Sequence, residues 1–298
     1  MRFRVRHVTK FAYREPAYES HNELRLKPRE SAHQHTLVFR LEVTPAAAII
    51  EYTDAFGNQV HAVSVHEAHR ELEVSAYSLV ERTAPPAIDG LKHPFGEFLQ
   101  NDSLRAQEQY DFLNASRYVP FSDPLKKLFW MVHPRMEEPV AEYTRRIVAW
   151  VRDQFSYEPG TTHVHSDVND ILSTGAGVCQ DFAHLTIGIL RLAGVPARYV
   201  SGYLAPRGRT RPLGAQASHA WIEALLPEVG WVGFDPTHGC PTGDHHLRLG
   251  VGRDYADVPP LRGVYRSASM NHSMGVMLDI GESAEPDADP QDPGAIQQ

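Results

Sequence analysis

The chain has 298 residues, of which 42% are hydrophobic and 22% are charged, a composition typical of water-soluble globular proteins. The formal net charge of −8 and the lack of a block rich in Lys and Arg argue against a nucleic-acid partner. No apolar run approaches the ~20 residues that a helix needs to cross a bilayer, so we expect no membrane partner. The chain starts without the apolar core of a signal peptide, and its two cysteines do not form a disulfide framework, so we expect a cytoplasmic protein.

Alternating apolar and polar side chains predict β structure in the first part of the chain. The segments RFRVRHVTKFAY, HTLVFRLEV and RELEVSAYSLV each follow this period of two, and the turn-forming pairs Lys27-Pro28 and Thr44-Pro45 lie between them. Several short strands at this spacing predict an antiparallel β-sandwich-like domain over residues 1–84. The sequence Thr-Ala-Pro-Pro at 83–86 marks its end.

The next part, residues 85–266, mixes helical and strand patterns, so the whole chain is expected to be α+β. Helices are predicted after Ser122-Asp123-Pro124, over 139–155 and from Cys179 to about Gly194, and strands are predicted over 197–204, 217–226 and 230–236. Residues 253–266 look irregular. Residues 267–298 are expected to form a C-terminal extension, whose acidic, proline-rich tail from about residue 281 has little to bury and is predicted to be disordered.

Cys179 lies at the predicted start of a helix with one buried face. A thiol at this position meets unpaired backbone N–H groups and the positive end of the helix dipole, both of which favour the nucleophilic thiolate. A lone cysteine is nevertheless more often a small buried hydrophobe. Its significance therefore depends on the residues that follow it in the chain.

His219 and Asp235 follow Cys179 on two successive predicted strands. Thiol catalysis needs a base beside the nucleophile and a third group that orients the base. If the two strands form a hairpin, the imidazole and the carboxylate can meet across it. The order Cys179, His219, Asp235 therefore predicts a catalytic triad, although each of the latter two is also compatible with a purely structural role.

His163 and His165 are two residues apart, which places both on one face of an extended segment. They suggest an alternative, a metallohydrolase, but no third ligand accompanies them at a suitable spacing. The remaining histidines of the N-terminal region are scattered and do not match a metal site. Cys240 lies in a Gly-Cys-Pro turn and is predicted to be a thiol outside the catalytic group.

The sequence also resembles a known family. GVCQDFAHL, GYL, ASHAWIEALLP, GWVGFDPTHG and GRDYADVPPLRGVYR resemble the bacterial transglutaminase-like family, a branch of the papain-like thiol superfamily. RFRVRHVTKFAY, NELRLKPR and DAFGN resemble the β domain that precedes its core. The resemblance covers residues 1 to about 266 and implies a nucleophile helix packed on an antiparallel sheet. It assigns Cys179 as nucleophile, His219 as general base and Asp235 as the residue that orients it.

The resemblance implies a thiol acyl-transfer enzyme of the transglutaminase-like cysteine protease kind. It would act on a peptide or protein substrate, with hydrolysis as the expected outcome and transfer to an amine acceptor as the alternative. The glutamine that papain-like enzymes carry upstream of the cysteine is missing between Asp170 and Val178, so Tyr157 and Trp221 are the candidates for oxyanion or substrate binding. Because the chain has no acidic calcium loop, we expect no metal and no cofactor. The competing hypothesis is a scaffold protein that keeps this fold without the chemistry.

Overall fold

The computed structural model describes residues 1–101, 107–206, 218–227, 229–269 and 271–283. The segment RGRTRPLGAQ at 207–216, which carries three arginines, and the acidic tail beyond Ser283 therefore lie outside the described residues. Within the described ranges, no helix is long and apolar enough to cross a membrane.

The order of the elements confirms the α+β class. The N-terminal region contains β1 Arg2–Leu24, β2 Gln34–Thr44, β3 Ile49–Thr53, β4 Gln59–Val65 and β5 His69–Arg82. The helices are α1 Phe95–Leu99, α2 Asp123–Val132, α3 Val140–Gln154, α4 Val168–Thr174 and α5 Cys179–Leu192. The later strands are β6 Ser156–Tyr157, β7 Ala176–Gly177, β8 Ala197–Leu204, β9 His219–Leu226, β10 Gly230–Asp235, β11 Cys240–Pro241, β12 His246–Gly252, β13 Leu261–Arg266 and β14 His272–Glu282.

The N-terminal sheet is built around β1, whose 23 residues take part in two sets of pairings. Its first half pairs antiparallel with β5 and β14, and its second half pairs with β4 and β13. The register shifts between the halves, and Glu19 there has a φ of +49°. β2 and β3 then pair with β5 and β4, which gives a curled antiparallel sheet, as the alternating pattern predicts.

The C-terminal strands differ from the sequence-based expectation. Residues 261–266 are not irregular but form β13, and residues 272–282 of the expected extension form β14, both paired with β1. Every second residue from Met274 to Ile280 is apolar, and Leu278 and Ile280 are buried in one cluster with Phe3 and Val5. This alternation in the sequence was the available signal. The last two strands of the chain, β13 and β14, are therefore part of the N-terminal sheet.

The core consists of a five-stranded antiparallel sheet in the order β11-β10-β9-β8-β12, with α5 packed on it. Almost every residue of helix α5 is buried, its few polar side chains included, as expected for a helix inside a core. α2, α3 and α4 pack against α5. Gly188 allows the close approach of α2, because a Cβ there would lie 2.8 Å from Leu125 Cδ2. The most buried helix of the chain thus places its first residue, Cys179, beside the sheet.

Two side-chain amides join the N-terminal sheet to the free edge of β12. Asn58 accepts a hydrogen bond from the Val251 N–H and donates one to the Val251 carbonyl, both at 2.8 Å. Gln34 makes the same pair of bonds with Arg248, at 2.8 and 2.7 Å. Because the outer groups of an edge strand otherwise lack partners, these amides take the place of a neighbouring strand.

Candidate active site

Cys179 is the first residue of α5, and the preceding turn is fixed by its neighbours. The Asp181 carboxylate accepts hydrogen bonds from the Val178 N–H at 2.8 Å and from the Thr162 hydroxyl at 2.5 Å. Gly177 is required, because a Cβ there would lie 2.8 Å from Asp181. The backbone N–H of Cys179 is in the first turn, where helix N–H groups have no intrahelical acceptor. It is therefore a candidate donor to a developing oxyanion.

His219 and Asp235 meet across the β9–β10 hairpin. His219 is the first residue of β9 and Asp235 the last of β10, and His219 Nε2 donates to Asp235 Oδ2 at 2.8 Å. The Cys179 thiol lies close enough to the same imidazole to raise its pKa, and because Asp235 takes Nε2, Nδ1 is the ring nitrogen left for the sulfur. The structure thus brings together the three residues that the sequence singles out, in the order thiol, imidazole, carboxylate.

The imidazole is held in its charged form. Burial by itself lowers the pKa of His219, but the hydrogen bonds to Asp235 and Cys179 and the negative charges of both raise it to about 10. Burial alone raises the pKa of Asp235, but hydrogen bonds from three histidines hold it well below its usual range. The buried carboxylate therefore stays ionised and stabilises an imidazolium beside the thiol.

Asp235 has more partners than the sequence suggests. Its Oδ1 accepts from the backbone N–H groups of Thr237 and His238, at 2.9 and 3.3 Å. Its Oδ2 lies 2.8 Å from His238 Nδ1 and 3.1 Å from His246 Nε2. Sequence reasoning missed both histidines; His238, three residues after Asp235 in the same turn, could have been found from its spacing, whereas His246 comes from a strand at the far edge of the sheet.

The two candidates for oxyanion or substrate binding occupy different places. Tyr157 is 48% exposed, and its pKa is raised by burial and then by the negative charges of Cys179 and Asp235. Trp221 is only 2% exposed and packs beside His219, with ring centroids 6.0 Å apart. Gly202 makes room for this indole, because a Cβ would lie 2.3 Å from it. The location of Trp221 suits a support for the imidazole, and that of Tyr157 suits contact with substrate.

His163 and His165 lie in one loop and are hydrogen-bonded within it, and they do not converge on a metal site. The His165 N–H donates to His163 Nδ1 at 3.2 Å, within a loop whose Val164 carbonyl accepts from Gln180 at 3.3 Å. In the part of the chain that the structure describes, the residues spaced to hold a metal ion are instead His219, Asp235 and His238. Cys240 is exposed, and neither cysteine forms a disulfide.

The fold and this site define a transglutaminase-like chain. Residues 132–236 match the family model of the transglutaminase-like superfamily core, and residues 3–81 match that of the bacterial transglutaminase-like N-terminal region. A Mycobacterium leprae protein without an assigned activity is 37% identical over 272 residues, which cover 89% of this chain and 93% of that protein. The chain therefore belongs to the bacterial transglutaminase-like family.

Two further relatives add detail. A solved structure from Cytophaga hutchinsonii, classed provisionally as a cysteine protease, shares the fold, with a TM-score of 0.77 at 24% identity over 97% of this chain and 93% of that one. A protein-glutamine gamma-glutamyltransferase of Pseudomonas aeruginosa is 35% identical over 103 residues, which are 31% of this chain and 15% of that protein. The first similarity extends over both parts of the chain, whereas the second is local.

Proposed function

We propose that the protein is a thiol acyl-transfer enzyme that cleaves the amide bond of a peptide or of a protein-bound glutamine. The observation that carries this proposal is the His219 imidazole, which is hydrogen-bonded to the buried Asp235 carboxylate at 2.8 Å and whose pKa is raised by the thiol at the start of α5. This is the arrangement of nucleophile, base and orienting group that covalent catalysis needs. The local similarity to a glutamine gamma-glutamyltransferase supports a glutamine amide as the acyl donor.

In the acylation step, the Cys179 sulfur attacks the substrate carbonyl carbon. The new C–S bond forms as the C–N bond breaks, and the proton on His219 Nδ1 moves to the departing amine or ammonia. The negative charge on the carbonyl oxygen is stabilised by the Cys179 backbone N–H and by the Tyr157 hydroxyl. The products are a thioester on Cys179 and a neutral imidazole that is still oriented by Asp235.

In the second step, the neutral imidazole removes a proton from water or from a primary amine as it attacks the thioester. The C–S bond breaks, and the Cys179 thiolate and the His219 imidazolium are restored. We propose hydrolysis as the main outcome, with transfer to an amine acceptor as the competing one. The two outcomes differ only in which nucleophile reaches the thioester.

Replacing Cys179 with Ala should abolish ammonia release from glutamine-containing peptides and peptide cleavage, because it removes the thiol that lies beside His219 and forms the thioester. The measurement is an assay of the full chain and the variant on a peptide library, followed by mass spectrometry of the reaction mixture. A mass increase of the wild-type protein that corresponds to an acyl group, absent in the variant, would identify the intermediate. Adding a primary amine then separates hydrolysis from transamidation.

Cys240→Ala is the matched control for this experiment, since it removes the other thiol of the chain, which is exposed and outside the triad. It should retain the wild-type rate. Wild-type protein without any turnover or acyl adduct on the full library would contradict the proposal and would favour a scaffold that keeps the fold alone.

Replacing Tyr157 with Phe should lower kcat by about 10²-fold, because one oxyanion donor typically contributes 10²- to 10³-fold. KM should change little, since the hydroxyl acts on the charge that develops in the transition state. Tyr110→Phe, at a tyrosine 66% exposed to solvent, is the control. An unchanged kcat with a higher KM in Tyr157→Phe would instead assign the hydroxyl to substrate binding.

A further inference from the structure

Three imidazole rings converge on one oxygen of Asp235. His219 Nε2 and His238 Nδ1 each lie 2.8 Å from Oδ2, and His246 Nε2 lies 3.1 Å from it. A catalytic carboxylate needs only one of these contacts to orient its histidine. The mechanism above uses His219, and the other two rings are left without a catalytic task.

The hydrogen bonds of His246 decide its role. Its Nδ1 accepts the Gly243 N–H at 3.1 Å, so the ring proton is on Nε2 and is donated to Asp235. Because Nδ1 is taken by the Gly243 N–H, the proton cannot move there from Nε2, and Nε2 is not free to bind a metal. His246 is buried and therefore supports the carboxylate from behind, as the outer partners of metal ligands do.

His219 and His238 are arranged differently. Their ligand nitrogens and the Asp235 oxygen all lie within 4.8 Å of one another. The His238 side chain is 51% exposed, which gives an ion a route from solvent. Tetrahedral zinc with bonds of about 2.0–2.1 Å to nitrogen and oxygen places its ligands roughly 3.4 Å apart, so the 2.8 Å contacts have to open by only about half an ångström.

We propose that Zn²⁺ binds to His219 Nε2, His238 Nδ1 and Asp235 Oδ2 and thereby switches off the triad. Two imidazoles and a carboxylate form a three-ligand zinc set whose fourth position is open to water. The ion would be a regulator rather than a resident cofactor, because it occupies the contact that orients the base. Nothing in this assignment requires the thiol as a ligand.

Metal binding changes which nitrogens of the His219 imidazole carry a proton. The ion replaces the proton between His219 and Asp235, and that proton goes to solvent. The proton on His238 Nδ1 moves by way of solvent to Nε2 of the same ring, so that Nδ1 can bind the metal. His219 keeps its proton on Nδ1, but giving it to the leaving amine would leave a metal-bound imidazolate. The acylation step should therefore stop. This consequence rests on the proposed function, whereas metal binding itself does not.

The test is calorimetric titration of Zn²⁺ into the full-length Cys179→Ala chain, in which the thiol cannot compete as a ligand. We expect one ion per chain. Adding His238→Asn should weaken binding at least ~100-fold, because even the loss of an outer partner costs about 10- to 100-fold. His133→Asn, which removes a histidine at the end of α2, is the control and should bind as the parent does.

Binding that is lost in Cys179→Ala would overturn the proposal and assign the ion to the thiol and the imidazole. Binding that is unchanged when His238→Asn is added would also overturn it, because His238 would then not be a ligand. Zinc K-edge absorption of the wild-type protein gives the same answer without a variant at His238. Only nitrogen and oxygen neighbours are expected, and a sulfur at about 2.3 Å would contradict the site. Turnover of the wild-type protein at one equivalent of zinc then tests inhibition separately from binding.

Discussion

Replacing Asp235 with Asn should lower kcat by roughly 10³- to 10⁴-fold while leaving the thiol in place. An amide cannot stabilise the imidazolium, and it presents the wrong hydrogen-bonding pattern for the tautomer that His219 needs. Its NH₂ group would also face the three imidazoles that now point at Oδ2. The measurement is single-turnover acylation with the substrate found in the library screen.

Asp244→Asn is the matched control, since this carboxylate is partly exposed and its nearest imidazole, that of His245, is 3.8 Å away. It should keep wild-type activity. A loss of less than about tenfold in Asp235→Asn would mean that Asp235 does not orient the base in the rate-limiting step.

The same variant should change how stability depends on pH. The pKa of His219 is about 10 in the folded chain, against an ordinary value of 6.5. Because the folded state binds this proton more tightly, its stabilising contribution is complete below about pH 6.5 and is lost as the pH rises to about 10. The Tm of the wild type should fall more steeply over this range than that of Asp235→Asn, and parallel curves would contradict the assignment.

Replacing Asn58 with Ala should destabilise the protein by roughly 2–4 kcal/mol. Asn58 is fully buried, and its amide satisfies both the N–H and the carbonyl of Val251 on β12. Each buried group left without a partner costs about 1–3 kcal/mol. The free energy of unfolding from urea denaturation measures this effect.

Gln59→Ala is the control for that experiment, because Gln59 is the next residue and its amide bonds only to the Thr53 hydroxyl near the surface, at 3.0 Å. Surface substitutions of this kind usually change stability by less than ~0.5 kcal/mol. Equal effects of the two substitutions would contradict the role of Asn58. Val251 packs against Trp221, which lies beside His219, so the Asn58 variant should also lower activity before the protein unfolds.

Local periodicity predicted the elements that carry the site. The predicted strands over 35–43 and 70–80 and the predicted helices over 139–155 and 179–194 lie within about two residues of β2, β5, α3 and α5. Each of these elements is buried on one face or over most of its length, and the apolar residues that this burial needs recur at a regular spacing along the sequence. The segment 261–282 was misjudged, because its strands are stabilised by β1, some 250 residues earlier in the chain.

For the candidate site, the sequence by itself determined the residue types and their order: a thiol at a helix start, then a histidine and an aspartate on successive strands. It also determined the family, because the motifs around these three residues are long. Only the tertiary structure decided that three imidazoles, not one, surround the Asp235 carboxylate, and that Tyr157 rather than Trp221 faces solvent beside the thiol. Such contacts depend on strand register and on which sheet edge β12 joins, and the spacing of apolar residues within one element predicts neither of these.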